Sequence, residues 1–310
     1  MYRTTTRRPA RLKGVATLGS WACQNAPHVW KQYSAERRRG VYAAPARPQP
    51  HLWPDSGLFT AWLGHSTVLL KLDGFTILTD PVFSINAGVR LGPVTVGVKR
   101  LVEPALSIAE LPKIDLILLS HAHFDHFDRP SLRHLESRST SVITAPRTAD
   151  LLRVRRYRNV HELAWGQGVH AGPALVRAFE VNHWGARVRT DTYRGFNGYT
   201  IEVGRHRVLF GGDTAWTTSF RTLKSSRPFD LAIMPVGAYN PWLHFHANPE
   251  QAWRMAADAG AERILPIHHQ TFSLSREPYL EPIERTLAAA GPEPGRVVVH
   301  HIGQEFRGQN

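Results

Sequence analysis

Ile114-Asp115-Leu116-Ile117-Leu118-Leu119-Ser120-His121-Ala122-His123-Phe124-Asp125-His126 is the stretch on which the reading of this 310-residue chain turns. Its first half is nearly all apolar, as a strand covered on both faces should be. Its second half gathers three histidines and an aspartate. In an extended backbone side chains alternate, so His121, His123 and Asp125 project to one side, and a turn just beyond brings His126 inward too. Imidazole and carboxylate suit zinc, iron or manganese, and a catalytic zinc ion takes about three protein ligands plus an open position for water. One ion cannot use all four donors in that geometry. A His-rich surface loop or a set of satisfied core histidines would be the bland reading, but these donors arrive at the end of a buried strand, where sites form.

Working outward, short apolar runs at Leu58 to Leu63, Thr67 to Leu72 and Phe75 to Leu78 are separated by Gly64-His65-Ser66 and Asp73-Gly74, which predicts an antiparallel meander. After the histidines, Pro130 to Glu136 starts a helix with proline near its first position, and strands recur at Val142 to Thr144, Leu175 to Val181, Tyr199 to Val203 and Arg207 to Phe210. Pro249 to Ala259 and Pro282 to Ala290 are helices ended by Gly260 and Gly291, Arg263 to Ile267 is a short buried strand, and Val297 to His300 is expected to close the chain as another. No repeat recurs at solenoid or propeller periods.

Composition sets wider bounds. A hydrophobic content of 42% is enough to close a substantial core. The only cysteine is Cys23, so any metal must be held by His and carboxylate. Residues 1–50 are rich in Arg, Pro, Thr and Ala and read as an irregular basic extension, with residues 51–310 as one domain. A net charge of +13 and a pI near 10.4 favour anionic surroundings such as phospholipid headgroups or a phosphorylated substrate, although arginines on solvated faces explain much of it. No run of 18 or more apolar residues occurs. Arg7-Arg8 followed by Leu12 to Cys23 is too interrupted for an export signal, and a cytoplasmic protein is expected.

The segment His121 to His126 matches the signature His-x-His-x-Asp-His, and the chain resembles the metallo-β-lactamase-fold hydrolases. It looks most like the branch containing N-acyl-phosphatidylethanolamine phospholipase D and the sugar-phosphate lactonase relatives. Supporting segments are Trp62 to Thr67, Leu78 to Ser84, Asn182-His183-Trp184, Gly211-Gly212-Asp213-Thr214, Val236 to Tyr239 and His268-His269-Gln270-Thr271-Phe272, in the expected order. The resemblance implies an α/β fold, a four-layer αββα sandwich. It implies two metal ions, zinc with iron or manganese as alternatives: one held by His121, His123 and His183, the other by Asp125, His126 and His268, with Asp213 between them. The relatives resembled usually carry His-Trp-Gly-Thr-Phe at the last ligand, so His269 competes with His268 in a shifted register. His246 matches a pocket histidine that binds phosphate or protonates the leaving group, which makes Asp125, Asp213 and His246 the candidate catalytic set. For His65 and Asp80 a supporting hydrogen bond is expected rather than ligation.

Two cations about 3.5–4 Å apart share a hydroxide, because each lowers the pKa of bound water towards about 7. The expected activity is therefore phosphodiester hydrolysis of a small-molecule or phospholipid-like substrate, with the basic extension and Trp21 to Trp30 touching an anionic membrane and no specific nucleic acid bound. The rival readings are a lactonase or carboxylic ester hydrolase on the same site, a nuclease, or a non-catalytic binding protein that has lost its metal.

Overall fold

The computed structural model describes residues 38–91 and 94–308. Trp21 to Trp30, expected to touch a membrane, and Arg7-Arg8 with Leu12 to Cys23, set aside as an export signal, lie outside the described residues. The meander forms as its turns dictate: β1 (Leu58–Gly64), β2 (Thr67–Leu72) and β3 (Phe75–Thr79) pair antiparallel. Asp73 and Gly74 join the last two with φ of 44° and 81°, the left-handed pair that a two-residue hairpin turn needs to match strand twist. Next comes a hairpin of β4 (Asn86–Leu91) and β5 (Val94–Lys99), which the sequence reading did not foresee. Gly88 and Gly97 face each other across it, and a Cβ on Gly88 would meet the Val96 carbonyl oxygen at 2.1 Å.

The decisive apolar run becomes β6 (Leu116–Leu119), buried throughout and parallel to β3. Then follow α1 (Arg129–His134), β7 (Ser141–Thr144), β8 (Asn159–Glu162), β9 (Gly168–Ala171), β10 (Ala174–Phe179), β11 (Gly198–Val203), β12 (His206–Phe210), β13 (Leu231–Pro235), α2 (Pro249–Asp258), β14 (Ile264–Ile267), α3 (Glu281–Ala290) and β15 (Glu305–Arg307). One sheet runs β15-β1-β2-β3-β6-β7-β8, and the other runs β14-β13-β12-β11-β10-β9.

The two sheets face each other. Leu69, Ile77 and Ile117 from the first and Tyr199, Val208 and Ile233 from the second belong to one buried apolar cluster, each such side chain contributing roughly 1.5–3 kcal/mol by leaving water. Met255 of α2 and Ile283 of α3 pack with Leu209 and Met234 on the other face of the second sheet. Asn248 caps α2, its side chain accepting from the Gln251 N–H while the Gln251 side chain accepts from the Asn248 N–H. Leu132 of α1 joins the core from the side of the first sheet. This is the αββα sandwich that the resemblance implied.

The compact unit begins at Val41. Residues 41–50 run along it: the Tyr42 N–H donates to the Leu101 carbonyl at 2.9 Å and the Ala46 N–H to that of Ile302 at 3.3 Å. The expected closing strand Val297 to His300 is a correction. Val297 makes only an isolated bridge to Ile264, and the chain turns when Gln304 Oε1 accepts from the His300 N–H, so the last strand is β15 on the edge of β1.

One feature of the topology positions everything that follows. Strands β3, β6 and β7 are parallel in one sheet, and β12, β13 and β14 in the other. Their C-terminal ends release Asp80, His121, Asp213, Ala238 and His268 into the same crevice, as parallel sheets do.

Candidate metal centre

The histidines and carboxylates of several distant segments meet there. His121, His123 and His183 form one group and His65, Asp125, His126 and His268 another, the donor atoms within each lying within 4.8 Å of one another. Asp213 stands between them: its Oδ2 is 3.0 Å from both His126 Nε2 and His268 Nε2, 3.8 Å from His183 Nε2 and 4.0 Å from His121 Nε2. His268 faces the carboxylates, whereas the His269 ring stacks on the Trp62 indole with centroids 4.5 Å apart.

Glycine makes the placement of Asp213 feasible. Gly212 has φ of 58°, and a Cβ there would lie 2.7 Å from Ser120 Cβ and 2.8 Å from the Asn197 carbonyl, so a side chain would push the Asp213 segment off the histidine turn. Left-handed backbone also gathers at the centre on residues other than glycine. His65, Asp80, Ala238, His268 and Gln270 have φ of 50°, 31°, 63°, 66° and 58°. Such conformations cost about 1–3 kcal/mol each and persist where surrounding structure over-determines them. At His65 the surroundings are on view: its N–H donates to Thr271 Oγ1 at 2.6 Å, and its carbonyl accepts from Trp62 Nε1 at 2.7 Å and from the His268 N–H at 3.1 Å.

Asp80 organises the rings from behind. His126 Nδ1 donates to its Oδ2 at 2.7 Å. Ser120 Oγ donates to the same carboxylate at 2.5 Å and so accepts from His121 Nδ1 at 2.8 Å. One buried carboxylate thereby fixes the tautomer of one histidine in each group, turning the Nε2 lone pairs inward. His183 is set alike, its Nδ1 donating to the Phe245 carbonyl at 2.9 Å. The expected supporting hydrogen bond of His65 goes to Asp125, with Nε2 3.0 Å from Oδ2.

These arrangements fit cations. His121 Nε2 and His183 Nε2, both acceptors, lie 2.8 Å and 3.4 Å from His123 Nδ1, and one ring proton cannot serve both. His126 Nε2, His268 Nε2 and Asp213 Oδ1 are buried with no hydrogen-bond partner among the described residues. The electrostatics of the rings agree. Burial lowers His121 and His183 well below the ordinary imidazole range. Burial works against a charged His268 as well, but the carboxylates of Asp213 and Asp125 outweigh it and lift the ring to about 9, and the same carboxylates lift His126 well above the ordinary imidazole range against its burial. Without a cation the cluster draws protons to the places where positive charge is wanted. Asp213 itself is held well below the carboxylate range, because the His126 and His268 charges overcome the effect of burial.

The centre forms the floor of a cavity of about 410 Å³ lined by Asp125, Asp213, His246, Phe124, Trp184 and Trp242, among others. His246 lies on the cavity side of the Asp213 carboxylate, Nδ1 3.9 Å from Asp213 Oδ2 and without a hydrogen-bond partner among the described residues. Trp184, Trp242, Leu243 and Phe245 are exposed apolar side chains at and beside its rim. No helix among the described residues is long and apolar enough to cross a membrane.

Comparison with known proteins agrees with this geometry. Residues 76–269 match the model of the β-lactamase superfamily domain. An uncharacterised protein of Mycobacterium tuberculosis is 35% identical over 89% of this chain and 76% of its own length. The N-acyl-phosphatidylethanolamine-hydrolyzing phospholipase D 1 of Caenorhabditis elegans is 30% identical over 74% of this chain and 69% of its own. Among solved structures, a metallo hydrolase from Ignicoccus hospitalis shares the fold with a TM-score of 0.60 and 18% identity, covering 82% of this chain and 99% of that one. The chain belongs to the β-lactamase superfamily of metal-dependent hydrolases. Within it, the chain falls in the branch that includes the N-acyl-phosphatidylethanolamine-hydrolysing phospholipases D.

Sequence reasoning named the histidines and aspartates gathered here but gave Ser120 no role and missed Arg187, whose guanidinium donates to the Ala122 and Phe127 carbonyls. Ser120 precedes the motif directly and could have been suspected from that. Arg187 bonds only to main-chain carbonyls and leaves no mark in a single sequence.

Proposed function

We propose that this protein is a dinuclear phosphodiesterase of the N-acyl-phosphatidylethanolamine phospholipase D type, drawing an amphipathic phosphodiester from an anionic lipid surface. The observation that carries the reading is the pairing of two donor groups across one shared carboxylate on the floor of an apolar-walled cavity. His121, His123 and His183 would hold one cation and Asp125, His126 and His268 the other, with Asp213 placed between the two groups. When bound, such a pair of cations, most simply zinc, supplies hydroxide at neutral pH and offsets charge developing on the phosphoryl oxygens. The protein does the rest. Asp80 and Ser120 keep the rings oriented, His65 holds Asp125, and Trp184, Trp242 and Phe245 bury apolar substrate and exclude water from the reacting centre. His246 faces the phosphate as a hydrogen-bond donor.

The reading is tested by offering bis-p-nitrophenyl phosphate, N-acyl-phosphatidylethanolamine vesicles and a lactone panel to zinc-loaded protein and to chelated protein. Metal-dependent turnover of both phosphodiesters is expected. Turnover of lactones alone would replace phosphodiester with carboxylic ester chemistry, and neither turnover nor metal uptake would leave a binding protein.

A further inference from the structure

Arg187 lies on the loop that follows His183, and its side chain crosses to the histidine turn. A single nitrogen, Nη1, donates to the carbonyls of Ala122 and Phe127, each at 2.8 Å. These two carbonyls bracket His123, Asp125 and His126. The guanidinium carbon also stands 4.0 Å from the centroid of the Phe124 ring, which itself lines the cavity. A lysine carries the same charge but has no planar face to lie on that ring while bridging two carbonyls.

We infer that Arg187 is a positioning residue that clamps the His121–His126 turn to the His183 loop, setting the separation between metal donors contributed by the two segments. The inference rests on the reading of the cluster as a metal centre. Beyond the clamp, the turn and the loop meet through ring contacts, with His123 5.1 Å from His183 and 4.5 Å from Trp184, and His121 4.8 Å from His183. Burial lowers the Arg187 guanidinium to about 10, so keeping a charge here has a cost that surface arginines escape. A contact kept against that cost orders something, and what it touches is the ligand turn.

The experiment titrates cobalt(II) into the full chain, following the visible ligand-field bands and competition with a chromophoric chelator, for wild type, Arg187→Met and Arg187→Lys. Arg285→Met serves as a control that removes an arginine bonded to Glu250 and Glu281 on the helices away from the centre. Arg187→Met is expected to bind cobalt roughly tenfold or more weakly with altered bands, as loss of an outer support does, and Arg187→Lys to fall between it and wild type. Arg285→Met should keep wild-type affinity and bands even if it melts earlier. Cobalt affinity within about threefold of wild type and unchanged bands in Arg187→Met would overturn the clamp alone. If that variant does not fold, the same readings on Arg187→Lys decide. A wild-type protein that takes up no cobalt would refute the metal centre and the clamp with it.

Discussion

At the scale of single residues, three of the histidines, His121, His126 and His183, have their outward nitrogens tied down. Ser120 tests this most cleanly, because Ser120→Ala leaves the His126–Asp80 bond intact while depriving His121 Nδ1 of its acceptor. The expected result is metal affinity lower by roughly tenfold to a hundredfold, measured by chelator competition, with about 1–3 kcal/mol of stability lost because the buried His121 Nδ1–H is left unpaired. Asp213→Asn goes further. It keeps shape but removes the charge shared by the two groups, and it should lose the second metal equivalent by elemental analysis together with hydrolytic turnover; intact turnover would show that Asp213 is not the bridge. The inner donors were legible because His121, His123, Asp125 and His126 are consecutive enough for strand alternation to be applied. His183, Asp213 and His268 became legible only through resemblance, since an isolated histidine or turn aspartate carries no signal of what it will meet. Arg187 was not legible at all, because main-chain carbonyls are common to every residue.

At the scale of elements, turn chemistry spoke loudly where glycine or proline punctuates apolar runs. The β1–β2–β3 meander and the two capped helices were readable for that reason. The hairpin of β4 and β5 was not, since Gly88 and Gly97 look like breakers until they are seen to face each other. Val297 to His300 has the apolar content of a strand, but the Gln304 side chain claims the His300 N–H and turns the chain away. Gly212 carries the sharpest prediction at this scale. Gly212→Ala places a methyl group 2.7 Å from Ser120 Cβ on a residue with φ of 58°. Destabilisation of about 2 kcal/mol or more is expected by urea unfolding, accompanied by weaker metal binding. Unchanged stability would mean that the strand end is not held against the histidine turn.

At the scale of the whole molecule, two sheets present their parallel strand ends to one crevice, so fold and site are a single fact. Acid should weaken the loop that follows His183. The Asp191 carboxyl works against burial but is held below its ordinary value by the Val188 N–H and by Arg194, whose Nε lies 2.6 Å away. Its folded value is below its unfolded one, so its contribution is full above about pH 4 and lost as pH falls through the folded value. Wild type should therefore exceed Asp191→Asn in unfolding free energy at pH 7, with the gap closing in acid. A gap independent of pH would contradict the assignment. The most direct test of the whole account is a crystal structure of zinc-loaded protein with anomalous diffraction at the zinc edge. The account predicts two peaks flanking Asp213, one among His121, His123 and His183 and the other among Asp125, His126 and His268. No peak at the cluster, or zinc bound elsewhere with these side chains left to pair among themselves, would contradict it.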